Sequence, residues 1–250
     1  VGHMNLGAGR VVFQDLTRID QTIASGGLDT NVALTALFNS CRKSNRALHL
    51  VGLLSDGGVH SHLRHLAALI RAAAGHGVRR LLVHAFTDGR DTAPTGGVHY
   101  LADLERTCAD VGLGQLATVC GRYFAMDRDR RWDRTQRAYD ALTRGQGTQG
   151  PDAGPLIERS YAAGVTDEFI EPCMITDEGG HPVGTMLDGD AVLFFNYRAD
   201  RARQLTRALA FNDFDGFERS SPPALSVVTL TEYDATFQLP VAFPPETFSG

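Results

Sequence analysis

Four apolar runs in this chain each break off into a cluster of Arg, Asp, His and Gly. Leu48–Leu54 (LHLVGLL) leads into Ser55–His62 (SDGGVHSH), and Leu81–Phe86 (LLVHAF) into Thr87–Pro94 (TDGRDTAP). Leu116–Cys120 (LATVC) leads into Gly121–Asp129 (GRYFAMDRD), and Ala191–Phe195 (AVLFF) into Asn196–Arg203 (NYRADRAR). A short apolar run that passes through a polar turn into an amphipathic stretch predicts the strand–turn–helix unit of an open α/β sheet.

The rest of the pattern fits that unit. Residues 13–45 carry apolar positions at helical spacing and predict two helices around the Gly26-Gly27 break. Strand 48–54 precedes a helix over 60–74, where Leu63, Leu66, Ala67 and Ile70 fall at i, i+3, i+4 and i+7. Strand 81–86 precedes helix 96–110, strand 116–120 precedes helix 132–144, and 155–163 reads as a further short helix. The mixed stretch 166–190 predicts a hairpin or edge strand, with turns at Gly179-Gly180 and Asp188-Gly189. Strand 191–196, helix 199–210 and strand 225–230 complete the core. The expected fold is a three-layer α/β/α domain with a mostly parallel mixed sheet.

Ligands of such sheets bind beyond the carboxyl ends of the strands. If the four runs are parallel neighbours, their tips bring Arg90, Arg122, Arg128, Arg198 and Arg201 towards one crevice, with His60 and Asp91 among them. That set suits a small, highly charged anion.

Composition narrows the partners. The net charge of −5 argues against a nucleic-acid binder that relies on a broad cationic face. Of the 24 Lys and Arg residues only Lys43 is a lysine, a skew that lowers the weight of any single arginine away from a strand tip. The four cysteines form no C-x-x-C pair, which predicts buried thiols in a reducing, cytoplasmic setting. No apolar stretch approaches the ~18–20 residues that span a bilayer.

Each motif also has a plainer reading. Gly7-Ala8-Gly9 lacks the Lys-Ser/Thr of a phosphate loop, and no G-x-G-x-x-G follows a strand. His62 and His65 share a predicted helix face that zinc would accept, but no Cys or carboxylate pair completes a ligand set in that segment. His60 is expected at a helix N-terminus facing an anion, helped by the amides of Gly57 and Gly58, or else as a simple cap. Arg90 beside Asp91 is either a salt-bridged turn or a clamp: Arg90 for a carboxylate, Asp91 for a hydroxyl or its proton. Most of the charged run 126–134 reads as a solvated helix start with Trp132 as a packing anchor, and Arg122 and Arg128 fit the crevice. Arg198 and Arg201, three apart, are expected to share one face of a helix start, where a bound phosphate would relieve their repulsion. No G-x-S-x-G elbow is present, and neither Ser55 nor Ser61 has an evident base.

Taken in order, GHMNLGAGR, SDGGVHSH, HAFTDGRDTAP, GRYFAMDRDRRWDR, FFNYRADRAR and TLTEYD resemble the cofactor-independent (2,3-bisphosphoglycerate-independent) phosphoglycerate mutases across nearly the whole chain. The resemblance implies the inserted, substrate-gripping domain of a two-domain isomerase of glycolysis. Residues 1–12 would be a flank of an alkaline-phosphatase-like domain, 13–234 the substrate-binding domain and 235–250 the return linker. It implies substrate contacts by His60, Arg90, Asp91, Arg122, Arg128, Arg198 and Arg201, with Asp91 handling a proton at the glycerate hydroxyls. The serine nucleophile and the ligands of two Mn2+ or similar divalent ions would lie outside this chain, which itself would hold no metal. The implied partners are 2- and 3-phosphoglycerate and the phosphatase-like domain, with no nucleic acid and no membrane; the expected state is an inactive monomeric fragment. A stand-alone phosphocarboxylate-binding module is the alternative.

Overall fold

The computed structural model describes residues 15–246; the expected flank 1–12 and the last four residues of the expected return linker lie outside them. The chain opens with helix α1 (Asp15–Ala24), a 3-10 turn (Gly27–Thr30) and α2 (Val32–Ser44). Then come β1 (Leu48–Leu54), α3 (Leu63–Gly75), β2 (Leu81–Thr87), α4 (Gly97–Val111), β3 (Gln115–Gly121), the single-turn α5 (Arg122–Ala125) and α6 (Trp132–Arg144). The order continues with β4 (Thr148–Gly150), α7 (Ala153–Ala162), β5 (Cys173–Ile175), β6 (Ala191–Phe194), α8 (Arg203–Ala210), β7 (Ser226–Thr231) and β8 (Val241–Phe243).

All seven residues of β1 and of β2 are buried, which is why these strands read as continuous apolar runs: a parallel sheet covered on both faces has no solvent side. One face packs Leu48, Leu50 and Leu193 against Ile19, Phe38, Leu66, Leu104 and Ile157, so α1 to α4 and α7 form one layer. The other packs Val51, Leu53 and Phe194 against Phe124, Tyr139 and Leu209, placing α5, α6 and α8 opposite. The three-layer α/β/α expectation therefore holds.

The strand order is β4-β5-β3-β2-β1-β6-β7-β8. The four strands singled out by the apolar runs are consecutive parallel neighbours, β3-β2-β1-β6. Among the described strands only β5, from the stretch expected to hold a hairpin or edge strand, meets a neighbour antiparallel, at β3; it is not at the edge, because β4 pairs with its other side. The chain runs outward from β1 through β2 to β3, then returns to β6 on the other side of β1, so the strand order reverses between β1 and β6. Such a reversal leaves a crevice beyond the strand ends.

Register decides what that crevice contains. Leu54 pairs with Thr87, and Thr87 with Gly121, so the next residues on the three tips are Ser55, Asp88 and Arg122. The alignment depends on a one-residue irregularity in β3: Val83 pairs with Leu116, but His84 pairs with Thr118. Across the same strands runs a buried polar row. His84 Nδ1 lies 2.9 Å from Thr118 Oγ1, His84 Nε2 lies 2.8 Å from His49 Nδ1, and His49 Nε2 lies 3.1 Å from Asp190 Oδ2. With both imidazoles neutral and each donor pointing towards Asp190, every group in the row is satisfied.

Several boundaries differ from expectation. Strand 191–196 stops at Phe194, helix 60–74 begins at Leu63, and helix 199–210 begins only at Arg203. The amides of Tyr197 and Arg198 both reach the carbonyl of His60, at 2.9 and 3.3 Å, which ties the β6 exit to the β1 loop and delays the helix. No helix among the described residues is long and apolar enough to cross a membrane, and all four cysteines are buried and free.

Candidate anion-binding site

At the β1, β2 and β3 tips a buried carboxylate joins three elements. Asp88 Oδ2 accepts the Ser55 hydroxyl at 2.7 Å, and its Oδ1 accepts Arg122 Nη1 at 2.7 Å. Oδ1 also accepts the backbone amides of Arg90 and Asp91, at 3.2 and 3.0 Å, which curls the chain back towards the sheet. Burial opposes ionisation of Asp88, yet the Asp91 amide, the Ser55 hydroxyl and the Arg122 guanidinium together hold its carboxyl below the usual range.

Arg122 is the centre of this arrangement and its side chain is 3% exposed. Besides Asp88 it holds Asp91 Oδ2 at 2.6 Å and donates Nη2–H to His60 Nε2 at 3.1 Å. Because a guanidinium can only donate, His60 Nε2 accepts, and the imidazole proton sits on Nδ1. Burial, followed by the adjacent Arg122 charge, pushes the His60 pKa down to about 4, so the ring is neutral near pH 7. His60 does not sit at the helix N-terminus that the sequence suggested. His62 is the cap of α3, accepting the Arg64 amide at 3.2 Å, while the Gly57 amide donates to Ser55 Oγ at 3.1 Å.

Four further arginines stand on the open side. Arg90 is 57% exposed and reaches Glu168 at 3.2 Å. Arg128 and Arg198 are 48% and 51% exposed, and both pair with Asp200, at 2.9 and 3.0 Å. Arg201 is half-buried and donates to the Met126 carbonyl at 3.3 Å. Burial, then the like charges of Arg128, Arg122 and Arg90, lower the Arg201 pKa, so these cations share one field. Arg198 and Arg201 do not share a helix face, because the segment before Arg203 is a turn, not the first turn of α8.

All seven residues expected at the site therefore meet there, but in two roles. Arg122 is spent on internal carboxylates and holds Asp91 and His60, whereas Arg90, Arg128, Arg198 and Arg201 keep donors towards solvent. Two residues of the site were not among those expected: Asp88, and Glu168, which lies 78 positions from Arg90. Among the described residues no group of three or more His, Cys, Asp or Glu side chains is placed to hold a metal ion. A cavity of about 760 Å3 at the amino ends of β2 and β3, lined by Arg79, Arg80 and Gln115, gathers none of the seven.

Glu168 reaches the site because Gly121 has no side chain. The Gly121 amide donates to Ile170 O at 2.7 Å, and a Cβ on Gly121 would sit 2.6 Å from the backbone nitrogen of Ile170. Gly121→Ala is expected to lower stability by about 2 kcal/mol or more, through forced backbone displacement. An unchanged urea midpoint would contradict this packing.

The chain is similar in sequence and fold to known proteins. Residues 19–235 match the family model described as the BPG-independent PGAM N-terminus. The chain is 52% identical to a 2,3-bisphosphoglycerate-independent phosphoglycerate mutase of Moorella thermoacetica, covering 100% of this chain and 49% of that protein. A protein of the same description from Syntrophotalea carbinolica is also 52% identical, over 99% of this chain and 48% of its own length. The chain thus spans about half the length of the curated relatives it matches. Among solved structures, a Leishmania mexicana phosphoglycerate mutase crystallised at low cobalt concentration superposes with a TM-score of 0.90 at 36% identity, over 98% of this chain and 46% of that one.

Proposed function

The chain belongs to the BPG-independent phosphoglycerate mutase family, and from that membership we propose that it is the substrate-gripping part of an enzyme interconverting 3- and 2-phosphoglycerate. The observation that carries this reading is the crevice itself: four solvent-facing arginines around a neutral His60 and the Arg122-held carboxylate of Asp91. Phosphoglycerate has the matching parts, a phosphate and a carboxylate for the guanidiniums and a hydroxyl for Asp91.

In this reading residues 13–234 form the substrate domain, and 1–12 and 235–250 connect it to a phosphatase-like half. That half supplies the serine nucleophile and the ligands of two Mn2+ or similar ions. The reaction moves the phosphoryl group between O3 and O2 of glycerate through a phosphoserine. The residues here hold and reorient glycerate while it is unphosphorylated, with Asp91 taking and returning the hydroxyl proton. A cytoplasmic, monomeric protein fits this role.

Calorimetric titration of 3-phosphoglycerate into the chain tests the reading. Weak binding is expected, and the double variant Arg198→Ala, Arg201→Ala should lose about tenfold or more in affinity. Equal affinity in the variant would remove these arginines from the grip. Mutase turnover by the chain alone would show that the serine and metals are not needed from elsewhere. Binding with no turnover even in the full-length protein would favour a phosphocarboxylate-binding module.

A further inference from the structure

Asp200 sits between two exposed arginines of the site and His60. Its Oδ2 pairs with Arg128 Nη1 at 2.9 Å, its Oδ1 lies 3.0 Å from Arg198 Nε, and the same Oδ1 faces His60 Nδ1 at 3.8 Å. These are two of the four solvent-facing arginines and the proton-bearing nitrogen of the buried imidazole. A carboxylate set among them has the charge and planar O–C–O shape of the carboxylate of a glycerate, or of two oxygens of a phosphate.

The fit is incomplete. Asp200 Oδ1 is buried and has no hydrogen-bond partner, because its approach to Arg198 Nε is close but poorly directed. His60 Nδ1, opposite it, is also buried without a partner. Two buried polar atoms that face each other at 3.8 Å and stay unbonded make a contact that gains little and is readily given up. Asp200 also lies in the turn that precedes α8, where a side chain can swing without disturbing a helix or a strand.

We propose that Asp200 is a place-holder: its carboxylate neutralises Arg128 and Arg198 while the crevice is empty and yields them when the substrate anion arrives. Without it Arg128 and Arg198 would lose their carboxylate beside Arg201, which already carries the like charges of Arg128, Arg122 and Arg90. The exchange of one anion for another keeps the charge in the crevice nearly constant, so ligand affinity is a difference between two ion pairings. Asp200 therefore sets affinity downward and selects for ligands with more charge than a single carboxylate. The inference rests on the phosphoglycerate reading only for the identity of that ligand.

The sign of the expected effect separates this role from an ordinary contact, because removing a place-holder tightens binding. Titration of 3-phosphoglycerate and, separately, inorganic phosphate into the chain and its Asp200→Asn variant should show about fivefold or more tighter binding by the variant. The gain should vanish when Arg128→Gln and Arg198→Gln are added, since no freed guanidinium remains. Asp129→Asn removes an equal charge from an exposed residue that pairs with neither arginine, and should change affinity less than twofold. Asp200→Ser repeats the test with a shorter side chain should asparagine disturb the turn.

Equal or weaker binding of both anions by both Asp200 variants, with melting temperatures unchanged, overturns the place-holder. So does an equal gain from Asp129→Asn, which would assign the effect to bulk charge, and so does no binding by any of the proteins. If Asp200→Asn tightens phosphate while neither protein prefers 3-phosphoglycerate over phosphate, the place-holder stands and the phosphoglycerate reading fails.

Discussion

Replacing Arg122 by methionine is expected to lower the unfolding free energy by about 3–5 kcal/mol and to abolish anion binding. The methionine can fill much of the space, but Asp88 would then keep its charge in a buried position with only the Ser55 hydroxyl and two amides to hold it. Asp91 would lose its 2.6 Å partner, and His60 Nε2 its donor. An uncompensated buried charge is far more damaging than a missing ion pair. Adding Asp88→Asn to Arg122→Met should therefore recover part of the loss, although Asp88→Asn alone also destabilises. Urea unfolding of the two single variants and the double variant makes the cycle. A strictly additive double variant, or an Arg122→Met protein within about 1 kcal/mol of the parent, would show that the cluster is not the electrostatic keystone of the three tips.

Acidification should weaken the fold before the carboxylates that are held low begin to titrate. His60 has its pKa pushed from 6.5 to about 4 in the folded chain, so between those values the unfolded chain binds the extra proton. Stability associated with His60 is thus fully present above pH 6.5 and is lost as the pH falls towards 4, by up to roughly 3 kcal/mol. His84, which burial and then His49 push well below its ordinary value, adds to the loss in the same direction. Carboxylates held low, such as Asp20 at about 2, give up their share only below 3.8, outside this window. Asp167, like Asp15, Asp140 and Glu105, is raised by burial and works the other way, so the comparison is made between about pH 7 and about pH 5. Chemical unfolding at those two values should show a clear loss for the parent and a smaller one for His60→Gln. A flat profile, or the same loss in the variant, would mean that the neutral His60 assignment is wrong.

The candidate site was legible to different depths. The apolar runs located the four strands, and their polar exits already contained His60, Arg90, Asp91, Arg122, Arg128, Arg198 and Arg201. What stayed hidden was division of labour. Arg122 looked like any other tip arginine, yet register carries it beneath Asp88 and Asp91, whose carboxylates take its Nη1. Glu168 had no signal at all, because it meets Arg90 only where Gly121 lets a distant segment pass. The helix start expected at 199 failed because the His60 carbonyl binds two amides of the β6 exit, a bond between residues far apart in sequence. Strands β4 and β8 have three residues each, too short to establish a period.

By itself the sequence determined the elements and the chemistry at their ends: which segments are buried on both faces, which are amphipathic, and that arginine, aspartate and histidine follow the strands. Those features are set by backbone geometry within a few residues, where side-chain spacing and burial speak directly. Only the tertiary structure decided that the strand order reverses between β1 and β6, that one extra residue in β3 sets Ser55, Asp88 and Arg122 side by side, and that Asp200 lies between Arg128 and Arg198. These are pairings across loops of dozens of residues, and a shift of one position in a strand would bring different side chains together. No local stretch encodes that choice, because its energy comes from the whole sheet packing at once.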